Sequence, residues 1–449
     1  MVVEAWLARA AAARPRCTAL ETPAGQWSYA ELLAGARAGA GELAERGARP
    51  GQRVAIALPP GLAFAQALHA CLLLGAVAVP VDVRAPARER AHLSDGASIV
   101  VEQPLSAPVT DEHDLPAGAG EDPRFATVHD LSATAVVIHT SGTTSAPRPV
   151  ELTYGNLLWS ALGSAVALGV HPRERWLCAL PVSHIGGLSI LLRSAIYATT
   201  AVVHERFETE RVLAALREDG ITLVSLVATT LARLLDAGLS NPPRLRCALT
   251  GGGPVGKPLL RRARAAGVPV SVTYGLSEAS SQVTTTPAAA LGRGQDSRPL
   301  FCARVQIAAD GEILVAGPIV AERSSGRGGW LHTGDLGAID DRGGLRLTGR
   351  KADTIVSGGE NVAPAEVESV IEAHPDVLEA AVVGRPDEGW GEAVTAIVVA
   401  RPGRVIDREA LRSHCAQALA PYKVPKRIVL SAGPLPRTGS GKLLRRELR

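Results

Sequence analysis

The stretch ATAVVIHTSGTTSAPRPV, residues 133–150, joins an apolar segment to a loop rich in hydroxyl groups. Its first seven residues favour a strand, and five of the six residues from Thr140 to Ser145 carry hydroxyls. Backbone N–H groups and hydroxyls at the exit of a strand can surround anionic oxygens. A plain polar turn is the alternative, because Ser, Thr, Gly and Pro clusters also form ordinary loops.

Short β-branched runs alternate with helical stretches rich in Ala, Leu and Arg on both sides of this loop. The runs include RVAIAL (53–58), TAVVHE (200–205), ITLVSLV (221–227), LRCALTGG (245–252) and VPVSVTYG (268–275). Segment 63–83 fits a buried helix that leads into a buried strand better than a membrane span, because it contains Gln, His, Gly and Pro. The alternation predicts an α/β fold with layered, largely parallel sheets.

The chain of 449 residues exceeds what one hydrophobic core normally supports, so at least two domains are expected. After Trp330 the pattern changes to short strands and tight turns, with DDRGG as a hairpin signal, and then to an α+β alternation. We therefore expect a large domain over residues 1–349 and a small α+β domain over 350–449. Residues 1–17 predict an amphipathic helix, and 105–132 an irregular connection.

Composition excludes several classes of protein. The net charge of +3 gives no polyanion-binding surface, so nucleic acid is not an expected partner. The six cysteines are widely spaced without a C-x-x-C pair, which argues against a zinc site and a disulfide framework and favours a cytoplasmic setting. The N-terminus lacks the order of a signal peptide.

GGGPVGKP (251–258) fits most of a phosphate-binding G-x-x-x-x-G-K loop, but Pro258 stands where that loop needs a hydroxyl for Mg²⁺. The stretch instead predicts a glycine turn at a strand exit, with Pro258 near the first turn of a helix. Glycines there would also let a flat ring approach the backbone.

Further short clusters follow in order: PVSHIGGLS (181–189), TYGLSEASSQVTT (273–285), LHTGD (331–335), GRKADTIVSGGENVAPAEVE (349–368) and PRTGSGKLLR (436–445). Each has an ordinary explanation alone: His184 as a core histidine, Asp335 as a turn residue, Lys442 as a solvated charge. As a set, over nearly the whole chain, they resemble the adenylate-forming enzymes, which include acyl-CoA synthetases, luciferases and adenylation domains. The loop at 140–150 departs from the family signature at Ser145, Arg148 and Pro149.

The resemblance implies a two-step reaction in which a carboxylate attacks MgATP to give an acyl-adenylate, and the thiol of CoA then displaces AMP. Segments 184–208 and 275–285 are similar to those of family members that act on o-succinylbenzoate in menaquinone biosynthesis. Expected partners are therefore a small carboxylic acid, ATP, Mg²⁺ and CoA. The sequence leaves a homodimer open.

The resemblance also assigns roles to individual residues. Catalytic roles fall to Lys442, Glu278 and His184, with Glu278 holding Mg²⁺ through oxygen. Lys442 would reach the α-phosphate and carboxylate oxygens as a point charge. Asp335 would accept the ribose hydroxyls and Arg350 would add a ribose or phosphate contact, while Tyr274 would offer a ring face to adenine. The remaining expected nucleotide contacts are Thr140, Ser141, Gly142, Thr143, Thr144, Gly251, Gly252, Gly253, Gly275 and Ser277.

Acyl recognition is assigned to His184, Gly186, Ser189, Arg193, Ser280, Ser281 and Gln282. If GGLSILLRS is helical, Arg193 shares a face with Gly186 and Ser189 and could meet the second carboxylate of a dicarboxylate. An arginine paired with a structural acid, or reaching to solvent, is the alternative. A CoA channel is assigned to Ser357, Gly358 and Gly359, and a hinge between domain positions to Lys351, Ala352 and Asp353.

Three other functions remain open at this stage. One is a ligase for another aryl or medium-chain acid. A carrier-loading adenylation module is less expected, because the chain ends at Arg449, seven residues after Lys442, without a carrier segment. The third is a non-catalytic nucleotide-binding protein, which the joint presence of Glu278 and Lys442 disfavours.

Overall fold

The computed structural model describes residues 1–105, 125–140, 148–286, 290, 297–437 and 443–448. Numbered in chain order, the α-helices are α1 (Trp6–Ala13), α2 (Tyr29–Glu45), α3 (Leu62–Leu74), α4 (Ala87–Leu93), α5 (Tyr154–Leu168), α6 (Ile185–Tyr197), α7 (Thr209–Glu218), α8 (Ala228–Asp236), α9 (Lys257–Ala265), α10 (Pro364–Ile371) and α11 (Arg408–Ala418). Among the described residues, none of the helices has the length and apolar character that crossing a membrane requires.

The hydroxyl-rich loop connects two strands of a five-stranded sheet. Its spatial order is β6 (Ile99–Val101), β4 (Arg53–Ile56), β5 (Val77–Pro80), β8 (Thr134–Thr140) and β9 (Arg148–Thr153). The first four strands are parallel, and β9 returns antiparallel to β8. The buried helix and strand predicted over 63–83 are confirmed as α3 and β5, with Gly75 ending the helix at a φ of +71°.

A nine-stranded sheet forms the second layer. Its order is β16 (Arg298–Pro299), β15 (Ser281–Thr285), β14 (Val270–Leu276), β13 (Cys247–Thr250), β12 (Leu223–Leu226), β10 (Arg175–Cys178), β11 (Thr200–Val203), β2 (Thr18–Thr22) and β3 (Gly25–Ser28). The strands from β14 to β2 are parallel, and β2 joins the sheet by pairing Leu20 with Ala201 of β11. The prediction of a layered α/β fold with largely parallel sheets is confirmed in these two sheets.

The main core fills the space around α1, α2, α3, α5 and α6, with Trp176, Tyr29 and Phe64 among its fully buried side chains. Helix α2 begins there with a capping box, since Ser28 Oγ accepts from the N–H of Glu31 at 3.2 Å and the Ser28 N–H donates to Glu31 Oε2 at 2.6 Å. Such reciprocal capping satisfies N–H groups that a helix start leaves unpaired.

Two further sheets follow, in which every strand pair but one is antiparallel. The first contains β17 (Arg304–Ile307), β18 (Glu312–Ala316), β19 (Leu331–Ile339) and β20 (Leu345–Arg350), and the predicted hairpin is confirmed between the last two. The second has the order β22 (Glu360–Val362), β21 (Ile355–Ser357), β24 (Gly391–Ala400) and β23 (Val377–Asp387), with β25 (Arg427–Leu430) parallel to β24. A hydrophobic cluster drawn from residues 355–428 packs α10 and α11 on this last sheet.

Two expectations need correction. Residues 1–17 are not one helix, because Val2 and Val3 form strand β1 (Val2–Glu4) and only Trp6 begins α1. Strand β1 pairs with β7 (Val128–Asp130), so the connection expected to be irregular over 105–132 also contains a strand. Both deviations have one cause, since β-branched valines pair with a distant strand that local periodicity does not reveal.

Two histidines lie in the interior of the protein. His69 on α3 and His129 on β7 are each 3% exposed. His129 Nε2 accepts from the Trp6 N–H at 3.3 Å, and its ring stacks on Tyr154 with centroids 4.3 Å apart. Burial lowers the pKa of both histidines to about 4. The native protein therefore holds both imidazoles neutral.

Acidification should destabilise the fold through these side chains. Their unfolded pKa is about 6.5, so stability is retained above that value and is lost as the pH falls toward about 4. From about pH 7 to about pH 5, each histidine should cost about 2 kcal/mol of unfolding free energy. The urea midpoint of His69→Leu should fall less on acidification than that of the wild type, whereas the exposed control His171→Gln should behave like the wild type. Identical pH profiles for His69→Leu and wild type would contradict the assignment.

Candidate active site

The hydroxyl-rich loop follows strand β8. The residues at its two ends pair with each other in the sheet. Thr140 pairs with Arg148 across β8 and β9, and Thr140 Oγ1 donates to the Arg148 carbonyl at 3.3 Å. The expected phosphate contacts that follow Thr140 lie outside the described residues; they are Ser141, Gly142, Thr143 and Thr144. The loop therefore connects the paired ends of two antiparallel strands.

The glycine turn lies at the end of β13. A Cβ atom at Gly251 would lie 2.6 Å from Thr273 Cγ2 and 2.7 Å from the Thr273 carbonyl oxygen, so only glycine fits beside β14. Gly252 has a φ of +76°, and nothing lies within 4 Å of a Cβ built at Gly253. Pro258 lies in the first turn of α9, in agreement with the predicted helix start. The turn is therefore packed against β14 at Gly251 and open at Gly253.

Three side chains predicted to contact the nucleoside lie together, because the Asp335 carboxylate binds both Tyr274 and Arg350. Asp335 Oδ2 accepts from the Tyr274 hydroxyl at 2.9 Å, and Oδ1 accepts from Arg350 Nε at 2.7 Å. Asp335 is 7% exposed, and it faces Arg350 across β19 and β20. Burial alone would lower the pKa of Arg350, but the charge of Asp335 outweighs it and the pKa is raised. The contact between Tyr274 and Asp335 was not predicted from sequence, which gave the tyrosine only a ring face.

The segment after Tyr274 is sharply bent. A Cβ at Gly275 would lie 1.6 Å from the Ser281 carbonyl oxygen, so this position requires glycine. A 3-10 turn over Ser277–Ala279 then carries Glu278, and Ser280 and Ser281 have φ values of 55° and 100°. Positive φ at non-glycine residues costs energy and clusters at functional sites. The bend turns the chain back so that β15 runs antiparallel to β14.

A buried arginine on helix α6, Arg193, is linked through Ser160 to the backbone of Ser280. Arg193 is 2% exposed, and its Nη2 donates to Ser160 Oγ at 3.1 Å. Ser160 Oγ in turn donates to the carbonyl oxygen of Ser280 at 2.6 Å. The Arg193 guanidinium also lies 5.6 Å from the ring centroid of Trp176. These contacts link Arg193 to the backbone of Ser280 through Ser160.

Arg193 is a buried cation without a counter-ion in the described part of the chain, where no carboxylate forms an ion pair with it. Burial lowers the pKa of Arg193. Within the described part of the chain, the Arg193 side chain neither reaches solvent nor pairs with a structural acid, so both alternatives are wrong there. An uncompensated buried charge is costly, and a bound anion would offset that cost.

The other residues assigned to the acid lie on α6, at its start, or on β15. His184 is the cap residue of α6, and Ser189 Oγ donates to the Gly186 carbonyl at 3.3 Å. Gln282 Nε2 donates to Thr285 Oγ1 at 2.7 Å. Ser160 and Trp176 were missed in the sequence, although SALGS (160–164) places two serines at i, i+4 spacing in an apolar helix.

The residues assigned to CoA and to the hinge lie in the terminal part of the chain. Gly358 and Gly359 make the turn between β21 and β22 with φ of +63° and +85°, and Ser357 is fully buried. Lys351 Nζ contacts Asp310 at 2.6 Å, within a turn that spans Lys351–Asp353 and so contains Ala352. Lys442 lies outside the described residues.

The family of the chain follows from comparison with known proteins. A family model described as AMP-binding enzyme matches residues 7–323, and one described as AMP-binding enzyme C-terminal domain matches 366–442. The chain belongs to this family of adenylate-forming enzymes, and the resemblance read from the motifs is confirmed.

Particular relatives are similar over the full length. The chain is 37% identical to a 2-succinylbenzoate–CoA ligase of Bacillus subtilis (strain 168), over 99% of this chain and 97% of the relative. It superimposes with a TM-score of 0.89 and 36% identity on o-succinylbenzoate CoA synthetase from Bacillus subtilis in complex with the acyl-adenylate intermediate, covering 100% and 98% of the two chains. The same enzyme in complex with ATP and magnesium ion gives a TM-score of 0.88 at 36% identity, with 100% of each chain covered.

Removing the Tyr274 hydroxyl should weaken ATP binding. Tyr274→Phe deletes one hydrogen bond to the Asp335 carboxylate, and a bond to a charged group contributes about 1.5–3 kcal/mol, or a factor of roughly 10 to 150 in affinity. We expect the KM for ATP to rise at least tenfold, measured by diphosphate release. Tyr154→Phe is the matched control, because its hydroxyl donates to the Leu72 carbonyl away from the site. An unchanged KM in Tyr274→Phe would show that the hydroxyl does not hold Asp335 for the nucleotide.

Proposed function

We propose that the chain is an ATP-dependent acid–thiol ligase that converts 2-succinylbenzoate, ATP and CoA to 2-succinylbenzoyl-CoA, AMP and diphosphate. The observation that carries the proposal is the 37% identity to 2-succinylbenzoate–CoA ligases over 99% of the chain. A carboxylate oxygen first bonds to the α-phosphorus as the bond to diphosphate breaks. The CoA sulfur then bonds to the acyl carbon as AMP leaves, and the thiol proton is released. Menaquinone biosynthesis in the cytoplasm is the setting that fits this reaction.

The nucleotide contacts in the proposal follow the geometry. Asp335 accepts the ribose hydroxyls while Tyr274 and Arg350 fix its carboxylate. Adenine would lie against the glycine turn of Gly251 to Gly253, with Gly275 and Ser277 as further nucleotide contacts, and Thr140 to Thr144 would bind the phosphates. Charge that develops as two anions meet is stabilised best by donors that are already in place.

Glu278 fits the role of magnesium ligand. Its carboxylate is half-buried just after β14, in the turn that follows the nucleotide segment. Hard oxygen donors suit Mg²⁺, which also takes oxygens from substrate phosphates. When bound, the ion neutralises phosphate charge during transfer.

Arg193 is proposed to bind the second carboxylate of the acid. It lies buried on α6, next to Ser160 and Ser280, and needs an anion to compensate its charge. His184, Gly186, Ser189, Ser281 and Gln282 would complete the acyl pocket. A dicarboxylate satisfies this site, whereas a fatty acid leaves the guanidinium unpaired.

We also propose the division into residues 1–349 and 350–449, with a hinge at Lys351, Ala352 and Asp353. The hydrophobic cluster of residues 355–428 is separate from the others, and the two family models match separate stretches of the chain. Rotation at the turn would withdraw Lys442 after adenylation and bring Ser357, Gly358 and Gly359 to the CoA channel. Hinges are a few such positions between packed bodies.

The substrate assignment is tested with a panel of acids. We expect 2-succinylbenzoate to be activated far faster than benzoate or octanoate in an assay of CoA-dependent diphosphate release. Arg193→Met should lower kcat/KM for 2-succinylbenzoate by about 30-fold or more and change that for benzoate little, because truncating a buried charge contact costs at least about 2 kcal/mol. Arg175→Met is the matched control, since Arg175 pairs with Glu21 elsewhere.

Equal rates with octanoate would favour a ligase for another acid and leave the adenylating chemistry intact. Absence of ATP–diphosphate exchange with every acid would instead favour a non-catalytic nucleotide-binding protein.

Lys442→Ala should separate the two half-reactions. Loss of one preorganised charge contact typically slows a step by roughly 10²- to 10³-fold. We expect that loss in acyl-adenylate formation, measured by rapid quench, while supplied acyl-adenylate and CoA give thioester at close to the wild-type rate. Equal damage to both steps would show that Lys442 does not act in adenylation alone.

A further inference from the structure

The segment on either side of residues 438–442 is pinned to the terminal sheet. Arg437 and Leu443 form an antiparallel bridge, and the Leu444 N–H donates to the Pro436 carbonyl at 2.9 Å. Arg437 Nη2 also donates to Glu379 Oε2 on β23 at 2.6 Å. The residues before and after Lys442 are therefore tied to the same small domain.

Arg445 makes the most elaborate of these contacts. Its two terminal nitrogens donate to the two carboxylate oxygens of Glu368 on α10, at 2.8 and 3.0 Å. Its Nε donates to Asp353 at 3.3 Å, within the turn proposed as the hinge. The side chains of Arg445 and Glu368 are only 16% and 12% exposed. Such a fork fixes the orientation of the guanidinium as well as its position.

Glu368 is held from the other side as well. Its Oε1 accepts from the backbone N–H of Val382 on β23 at 2.7 Å. Burial raises the pKa of this carboxyl, while the charge of Arg445 opposes the rise. The pair thus links α10, β23 and the end of the chain in a partly desolvated cluster, where a lost partner is poorly replaced by water.

Lys442 precedes Arg445 by three residues, so a fully extended backbone allows at most about 11 Å between their Cα atoms. A lysine side chain is flexible and carries a point charge, so its placement depends on the backbone that bears it. Small displacements of a charged group from its productive position lower the rate strongly. The position of Arg445 therefore limits where the lysine can reach.

We propose that Arg445 is a positioning residue for adenylation. By binding Glu368 and Asp353 at once, it fixes residues 443–448, which follow the lysine, to α10 and to the hinge turn, so that rotation of the small domain would carry the lysine with it. This inference rests on the proposed function of Lys442. A purely structural ion pair would instead support the stability of the domain without regard to Lys442.

The test is a double-mutant cycle with Lys442 in the full-length protein. Arg445→Ala should lower the rate of acyl-adenylate formation about 10- to 100-fold with the KM for ATP within about twofold, and thioester formation from supplied acyl-adenylate should stay near the wild-type rate. In the Lys442→Ala background, Arg445→Ala should cause no further loss, because the two act as a unit.

Two further variants keep the experiment decisive. Arg445→Lys retains the charge but loses the fork, so it should reproduce most of the adenylation defect with little change in the thermal midpoint, even if Arg445→Ala folds poorly. Lys423→Ala is the matched control, because it breaks an ion pair to Glu366 on the same helix at 2.7 Å. It should leave both half-reactions unchanged.

The outcomes separate the inference from the proposed function. The inference is overturned if Arg445→Lys adenylates like Lys423→Ala, if both half-reactions fall together, or if the losses in the cycle multiply. An adenylation rate that Lys442→Ala leaves unchanged would overturn the proposed role of the lysine and the inference with it. A slow Lys442→Ala with a normal Arg445→Lys would overturn the inference alone.

Discussion

The Asp335 carboxylate is the junction on which the rest of the site depends. It accepts hydrogen bonds from Tyr274 in strand β14 of the nine-stranded sheet and from Arg350, the last residue of strand β20 in the four-stranded sheet. One buried acceptor thereby sets the distance between the glycine turn, the bend at Gly275 and the start of the terminal segment. Because bonds to a buried carboxylate are strong and directional, a shift of either strand would break one of these two contacts.

A second constraint governs the acyl side. The buried guanidinium of Arg193 is connected through Ser160 to the carbonyl of Ser280, where the chain runs through two residues with positive φ. Only glycine fits at position 275, because the carbonyl oxygen of Ser281 lies where a Cβ atom would be. In the proposed site, the same short segment would therefore shape the nucleotide side by its backbone and the acyl side by its carbonyl groups. Chemistry that joins two substrates needs such a shared wall, since reacting atoms must meet within a few ångströms.

Local sequence patterns were sufficient for most of the fold. The buried α3 and β5, the hairpin between β19 and β20, and the first turn of α9 are specified by periodicity and by Gly and Pro placed where backbone geometry requires them. Strand β1 was missed because its partner lies more than a hundred residues away. The helical face of Arg193 could be read from spacing, but its burial could not, because Ser160 and Trp176 reach it from other elements. The fork between Arg445 and Glu368, 77 residues apart, leaves no local signal at all.

The pairing of Leu20 with Ala201 has a consequence for the time course of synthesis. Strand β2 leaves the ribosome 181 residues before the strand that receives it, which at translation speed is a delay of roughly 10 to 40 seconds. During that interval β2 and β3 can form only a two-stranded hairpin, which is marginal in water. The apolar side chains of Leu20 and Trp27 lack their place in the nine-stranded sheet until β11 has been synthesised. Chaperone protection in this period should therefore concentrate on residues 18–28.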